Sequence, residues 1–310
     1  MTRFTLAAAV ALLSSATAMA APASPWSTGQ KIDEIAGNSS ELNTASLDGC
    51  PILSPDGSQL YMASNRPERA GDSTPDLNIW VATRGSVDEP FGAPELLPAP
   101  INSGANDFCP TPLRGGKLLF VSNRSTAESC GQGDIYLSRL HPKKGWLDPR
   151  HLRCAPDGPN SSLDEQGPSL IEVDRGHQLF FSRSSAAPNP VVPGELFVSG
   201  RPEGGEFGPA TAIAELNSPG NDIQPNVRKD GRELVFSSNH PYPGAQGAQD
   251  IYVSTRDSVD APWSPPVNLG SAVNTAAAES RPSLSWDAAT LLYGRAPGPE
   301  GSADIFMSTR

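Results

Sequence analysis

The sequence predicts an all-β fold: a five-bladed β-propeller of four-stranded antiparallel blades, with the last blade closed by the strand nearest the N-terminus. Three observations predict it. An Asn followed by a small residue recurs at Asn43, Asn102, Asn160, Asn217 and Asn274, with spacings of 59, 58, 57 and 57 residues. A proline stands eight positions later in every copy, at Pro51, Pro110, Pro168, Pro225 and Pro282. No amphipathic helical pattern longer than two turns interrupts the copies, and 29 glycines and 32 prolines among 310 residues supply the turns that many short strands need. A period of this size marks stacked supersecondary units that bury their faces against one another.

Each copy contains four strand-like phrases. The first follows the proline, as in Pro225-Asn226-Val227-Arg228. A tight turn comes next: Asp56-Gly57, Gly115-Gly116 and Asp230-Gly231. Asp-Gly between apolar runs signals a hairpin, because glycine accepts positive φ. The second strand is apolar, as in Leu118-Leu119-Phe120-Val121, and the third opens on Asp-Ile-Tyr at Asp134 and Asp250. An aromatic residue followed closely by proline introduces the fourth strand, at Phe91, Trp146, Phe207 and Trp263. The fifth copy stops after its third strand, at Arg310, and the missing phrase stands at the other end of the chain, from Trp26 onward. A strand near residues 26–32 is therefore expected to complete the last blade and remove a free sheet edge. The blade repeats start near residues 43, 102, 160, 217 and 274, within one domain over 21–310.

Residues 1–20 read as a signal peptide. Arg3 is the only charge, residues 6–13 are apolar, and Ala18-Met19-Ala20 forms a small-x-small cleavage site. The apolar run is too short to span a bilayer. The chain is expected in the periplasm or secreted, without membrane insertion. Four cysteines and no CxxC pair then predict two disulfides rather than a zinc site. Four cysteines allow three pairings. Cys50 and Cys109 share the slot directly before the proline in adjacent blades, which favours Cys50–Cys109 and Cys130–Cys154. The net charge is −11, and loss of Arg3 with the signal peptide takes it to −12. That acidity argues against a nucleic-acid partner, whose phosphates need a basic face.

Ser54-Pro55-Asp56-Gly57, the run from Leu60 to Arg66 and the Asp-Ile-Tyr phrases resemble the TolB-like propeller repeat. This is a WD-repeat-like family of bacterial envelope proteins. The resemblance spans nearly the whole mature chain and implies a propeller of the cell envelope. No peptidoglycan-binding domain of the kind fused to such repeats accompanies it.

Strand direction puts the Asn-to-Pro segments and the Ser-Asn-Arg loops on one face, the top, and the hairpin turns on the other. An acid stands three residues before each proline: Asp48, Asp107, Glu165, Asp222 and Glu279. Five such carboxylates at the channel mouth would repel one another unless cations sat beside them. Arg66 and Arg124 end second strands on the same face, with Arg183 and Arg295 near the equivalent place. The ring holds blades in register, or it binds a cationic ligand or metal; the blade-holding reading is the stronger, because a residue present in every blade usually serves the blade. Asn65, Asn123, Asn239, His240 and Tyr242 either line a ligand patch or satisfy turn backbones. Trp26, Trp146 and Trp263 are expected to pack between blades.

No GxSxG elbow and no HExxH occurs, and the four histidines have no repeated spacing. The expectation is therefore a monomeric, non-enzymatic scaffold that engages an envelope protein, peptide or glycan through its top loops, with no cofactor and no metal. The alternative is a carbohydrate-active hydrolase or lyase using carboxylates at the channel mouth.

Overall fold

The computed structural model describes residues 26–68, 75–185 and 192–310, and the expected signal peptide lies outside them. After β1 (Gln30–Lys31), blade one contains β2 (Asp48–Leu53), β3 (Gln59–Ser64), β4 (Asn78–Thr83) and β5 (Glu95–Leu96). Blade two contains β6 (Asp107–Leu113), β7 (Lys117–Ser122), β8 (Asp134–His141), the short β9 (Gly145–Trp146) and β10 (Arg150–His151). Blade three contains β11 (Asp164–Val173), β12 (Gly176–Ser184), β13 (Glu195–Pro202) and β14 (Ala210–Ala212). Blade four contains β15 (Asp222–Val227), β16 (Glu233–Ser238), β17 (Asp250–Thr255) and β18 (Val267–Asn268). Blade five contains β19 (Ala278–Leu284), β20 (Thr290–Ala296) and β21 (Asp304–Thr309). The five sheets are antiparallel, and the wheel closes with the order β1-β21-β20-β19.

Closure is short. Gln30 faces Met307 and Lys31 faces Phe306, while the Ser27 amide donates to the Thr309 carbonyl at 2.7 Å. The expected strand over 26–32 is thus only two residues long. Ile32 leaves the sheet because it is buried with Leu60, Met62 and Leu292 between blades five and one, and the chain turns there into a 3-10 segment, Ile32–Glu34.

The second strands read as unbroken apolar runs because both of their faces are covered. Leu118, Leu119, Phe120 and Val121 are all buried. Alternate side chains go to opposite faces. Leu118 and Phe120 pack toward blade one with Ile52 and Ile79, and Leu119 and Val121 pack toward blade three with Leu179 and Phe181. Each buried Leu or Phe contributes roughly 1.5–3 kcal/mol of transfer free energy.

The repeat Asn residues join one blade to the next. Asn102 Oδ1 accepts from the Ile79 amide at 2.8 Å, and its Nδ2 donates to the Ile79 carbonyl at 2.9 Å. Asn43, Asn160, Asn217 and Asn274 make the same two-way bond to Ile305, Ile135, Leu196 and Ile251. The Asn-to-Pro phrase repeats because this joint repeats.

Candidate functional site

The five ring acids are fully buried. Ser103 donates its amide and hydroxyl to Asp107 Oδ2 at 2.7 Å each, and Arg124 Nη2 donates to Oδ1 at 2.7 Å. The pattern repeats at Asp48 with Arg66 (2.6 Å), Glu165 with Arg183 (2.8 Å) and Glu279 with Arg295 (2.7 Å). Each acid also takes the hydroxyl of the Ser or Thr that follows the repeat Asn. Blade four departs: His240 stands in the arginine slot, and Asp222 Oδ1 has no hydrogen-bond partner among the described residues. This geometry pins the inter-blade loop to its own blade and leaves none of the five ring carboxylates facing solvent.

Burial pushes the Glu165 carboxyl up to about 7, against the opposing pull of Ser161 and Arg183. The folded protein therefore holds a proton there that the unfolded chain has released. Stability is fully present below the unfolded value and falls as pH rises toward 7. Glu165→Gln is expected to flatten the stability profile between about pH 5 and pH 7. Urea titrations across that window check it; an unchanged slope would sink the assignment.

Asn65 and Asn239 accept from the amides of Leu47 and Asn221, so they serve turn backbones. His240 stacks edge-on against Tyr242 (4.4 Å), which in turn contacts Tyr252 (5.1 Å). Trp26 and Trp263 are buried beneath Arg310 (4.5 Å) and Arg256 (4.2 Å).

The channel itself is plugged. Each inner strand carries a bulge at the repeat proline, and the residue before the proline takes a left-handed φ: Cys50 48°, Cys109 47°, Gly167 59°, Gln224 56° and Arg281 57°. These five side-chain positions and their prolines enclose a space of only about 30 Å³. Cys50 and Cys109 are bridged there, with Cα atoms 4.8 Å apart, and the Arg281 amide donates to Gln224 Oε1 at 3.1 Å. Gly167 has no room for a side chain, since a Cβ would lie 2.8 Å from the Gln224 Cα. The second disulfide, Cys130–Cys154, has a Cα separation of 5.8 Å. Cys130, His151 and Cys154 bring ligand atoms within 4.8 Å of one another, but both sulfurs are consumed by that disulfide.

The opposite, hairpin face carries cavities of about 380, 450 and 570 Å³. The cavity of about 380 Å³ opens among the hairpin turns of blades two to five. Its rim includes Arg114, Glu172, Lys229 and Trp286. These occupy one slot, four residues after the repeat proline, which blade one fills with Pro55. Arg114 and Lys229 both lie over the half-buried Trp286 ring, at 4.5 and 5.2 Å from its centroid. Lys229 Nζ donates to the Leu170 carbonyl at 3.1 Å, and burial pushes its pKa down to about 8. On the far wall, Arg201 Nη2 donates to His177 Nδ1 at 2.9 Å and lies over Phe207 at 5.0 Å. Burial, and then Arg201, lower the His177 pKa.

No family model matches the chain, and no curated protein matches it. Solved structures do. The GH43 endo-arabinanase from Bacillus licheniformis is 14% identical with TM-score 0.54, covering 86% of this chain and 94% of that one. The catalytic domain of a GH62 α-L-arabinofuranosidase from Coprinopsis cinerea is 13% identical with TM-score 0.55, covering 92% and 96%. An endo-arabinase from Bacteroides thetaiotaomicron is 17% identical with TM-score 0.51, covering 86% and 95%. These identities show a shared fold: the wheel of five blades. They correct two expectations. The chain's structural company is glycoside hydrolase propellers and not the TolB-like, WD-repeat-like family, because short phrases such as Ser-Pro-Asp-Gly report hairpins common to many propellers. The non-enzymatic scaffold is likewise corrected, since the three structures named are those of arabinan- and arabinofuranoside-acting enzymes.

Among the described residues no helix is long and apolar enough to cross a membrane. The two disulfides fit an oxidising, extracytoplasmic compartment.

The cavity residues were missed by reading what repeats. Their signal is the opposite one: a slot fixed in the period yet occupied by Pro, Arg, Glu, Lys and Trp in turn. A position that serves every blade is uniform, and one freed from that duty carries the differences between blades.

Proposed function

We propose that the protein is a carbohydrate-active enzyme, a hydrolase or lyase, that holds a glycan in the hairpin-face cavity. The observation that carries this reading is Trp286, a half-buried indole at the rim of a 380 Å³ cavity and flanked by Arg114 and Lys229. A cavity of this size with an apolar wall and a few convergent polar groups suits a small-molecule or sugar unit. An indole offers a flat apolar face to the C–H face of a sugar ring, while the cations address its oxygens. The likeness to an endo-arabinanase and an α-L-arabinofuranosidase supports carbohydrate as the substrate class. The site lies on the hairpin face and not in the top ring, whose acids are all buried and, in four of five blades, paired with arginines. The chain works outside the cytoplasm, in the periplasm or secreted, after removal of residues 1–20.

Chain cleavage is tested by incubating the purified protein with a panel of neutral and acidic polysaccharides and measuring new chain ends. Trp286→Ala is expected to lower cleavage at least tenfold while leaving the unfolding midpoint within a few degrees, because the indole is half-buried and outside the main apolar clusters. Full activity in that variant, or no cleavage of any glycan by the wild type, would overturn the reading.

A further inference from the structure

We propose that the hairpin-face cavity takes an acidic sugar, a uronate, and that Lys229 is the base of a β-elimination that cleaves the glycosidic bond at C4 of the bound unit. The inference rests on the glycan-processing reading above and names its substrate class and reaction.

Charge carries the first step. The chain is acidic, with net charge −11, yet its cavity gathers Arg114, Lys117, Arg201 and Lys229 against a single carboxylate, Glu172. Among the described residues, none of these four cations has a carboxylate at salt-bridge distance. The ring arginines of the top face, by contrast, are paired. Cations left unpaired around a concave site in an acidic protein fit an anionic ligand. Arginine's planar fork matches a carboxylate, and an uncharged sugar would leave those groups without a counter-charge.

The acid–base inventory carries the second step. Hydrolysis of a glycoside ordinarily uses two carboxyl groups flanking the scissile bond. The cavity offers one, Glu172, which is exposed. It also offers an amine with an unusual setting. Lys229 Nζ uses one hydrogen on the Leu170 carbonyl and lies over Trp286, so in its neutral form the lone pair remains free. Desolvation lowers its pKa to about 8, where a lysine serves as a general base. Arg114 lies over the same indole. A uronate in the cavity beside this Trp286 cluster meets both cations: the carboxylate takes Arg114, and the carbon that bears it meets Lys229.

The step balances without any co-reactant. Neutral Lys229 takes the proton from C5, which Arg114 acidifies by neutralising the adjoining carboxylate. The C5–H electron pair forms the C4=C5 double bond as the C4–O4 bond breaks. O4 leaves with that bond's electrons and takes a proton from water, and the Lys229 ammonium then returns its proton to solvent. One chain becomes two, and the new end is a conjugated unsaturated uronate. Arg201 can only donate, so His177 accepts through Nδ1 and, when neutral, carries its proton on Nε2.

The rate should rise with pH through about 8 as Lys229 becomes neutral. Glu172 on β11 opposes this by favouring the ammonium, while Arg114, Lys117, His177 and Arg201 around the rim complete the charged surroundings.

The test incubates the mature protein with polygalacturonate and, separately, with neutral arabinan. It follows the ultraviolet absorbance of the conjugated double bond and the product masses, and measures binding of galacturonate oligomers by calorimetry. Wild type should release unsaturated oligomers from polygalacturonate. Lys229→Arg should lower that rate by roughly 10²–10⁴-fold while oligomer binding stays within about tenfold. Lys229→Met, which removes the charge, should lose rate and binding together. Uronate bound but never cleaved overturns the base assignment. Arabinan cleaved with addition of water, and polygalacturonate neither bound nor cleaved, overturns the uronate inference and leaves the carbohydrate-enzyme reading standing. No glycan bound or cleaved overturns both.

Discussion

Asp107→Ala is expected to destabilise the propeller by about 3–5 kcal/mol. Asp107 is fully buried, and it gathers the Ser103 amide, the Ser103 hydroxyl and Arg124. Removing it leaves the largely buried Arg124 guanidinium without its counter-charge and two Ser103 donors without an acceptor. Arg124 would still reach the carbonyls of Pro100 and Ile101, so some of the loss is offset. The contrast is blade four. Asp222 keeps its Ser218 contacts but has no arginine, and its Oδ1 is unpartnered among the described residues. Asp222→Asn removes a buried charge that no cation balances, so it should be near neutral or stabilising. Urea unfolding of both variants against the wild type decides the matter. If Asp107→Ala loses less than about 1 kcal/mol, or if Asp222→Asn loses as much as Asp107→Ala, the acid–arginine pairs do not pin each loop to its own blade.

The same contrast explains what was legible in the sequence. Asn43, Asp48 and Pro51 stand where they do because each blade must bind its neighbour's third strand, pin its own loop and bulge toward the axis. A demand repeated five times leaves five copies in the text, and the five-bladed, antiparallel architecture follows from them. The break in the fifth copy at Arg310 and the stray phrase at Trp26 likewise reveal the closing strand, although its two-residue length does not show. Function leaves no such imprint. Arg114, Lys229 and Trp286 come together only because the turns of blades two, four and five meet around the axis, at separations of 115 and 57 residues along the chain. Regularity points to the top face, where the five ring acids are buried and four of them are paired with arginines. The TolB-like resemblance failed for a related reason. Its phrases describe a second strand, a hairpin and a third strand, which any propeller blade contains.

The double variant Cys50→Ser/Cys109→Ser should lose about 4 kcal/mol of stability, chiefly through the unfolded state. This disulfide closes a loop of 59 residues, all of blade one beyond its first bulge. The Cys130–Cys154 bridge closes 24 residues, for which the same chain-entropy argument gives about 3 kcal/mol. The larger effect falls at the axis, where Cys50 and Cys109 fill the slot that Gly167, Gln224 and Arg281 fill in the other blades. The serine pair also leaves two small polar groups in a space of about 30 Å³ in place of buried sulfur, which adds to the loss. Activity separates the two ends of the channel. Glycan cleavage at temperatures well below unfolding should survive in the double variant, because the cavity around Trp286 is built from the hairpin turns on the other face. Unfolding measured in urea together with cleavage at low temperature checks both halves. A variant that stays stable, or one that stays folded yet loses cleavage, would place the working site at the plugged axis instead of beneath it.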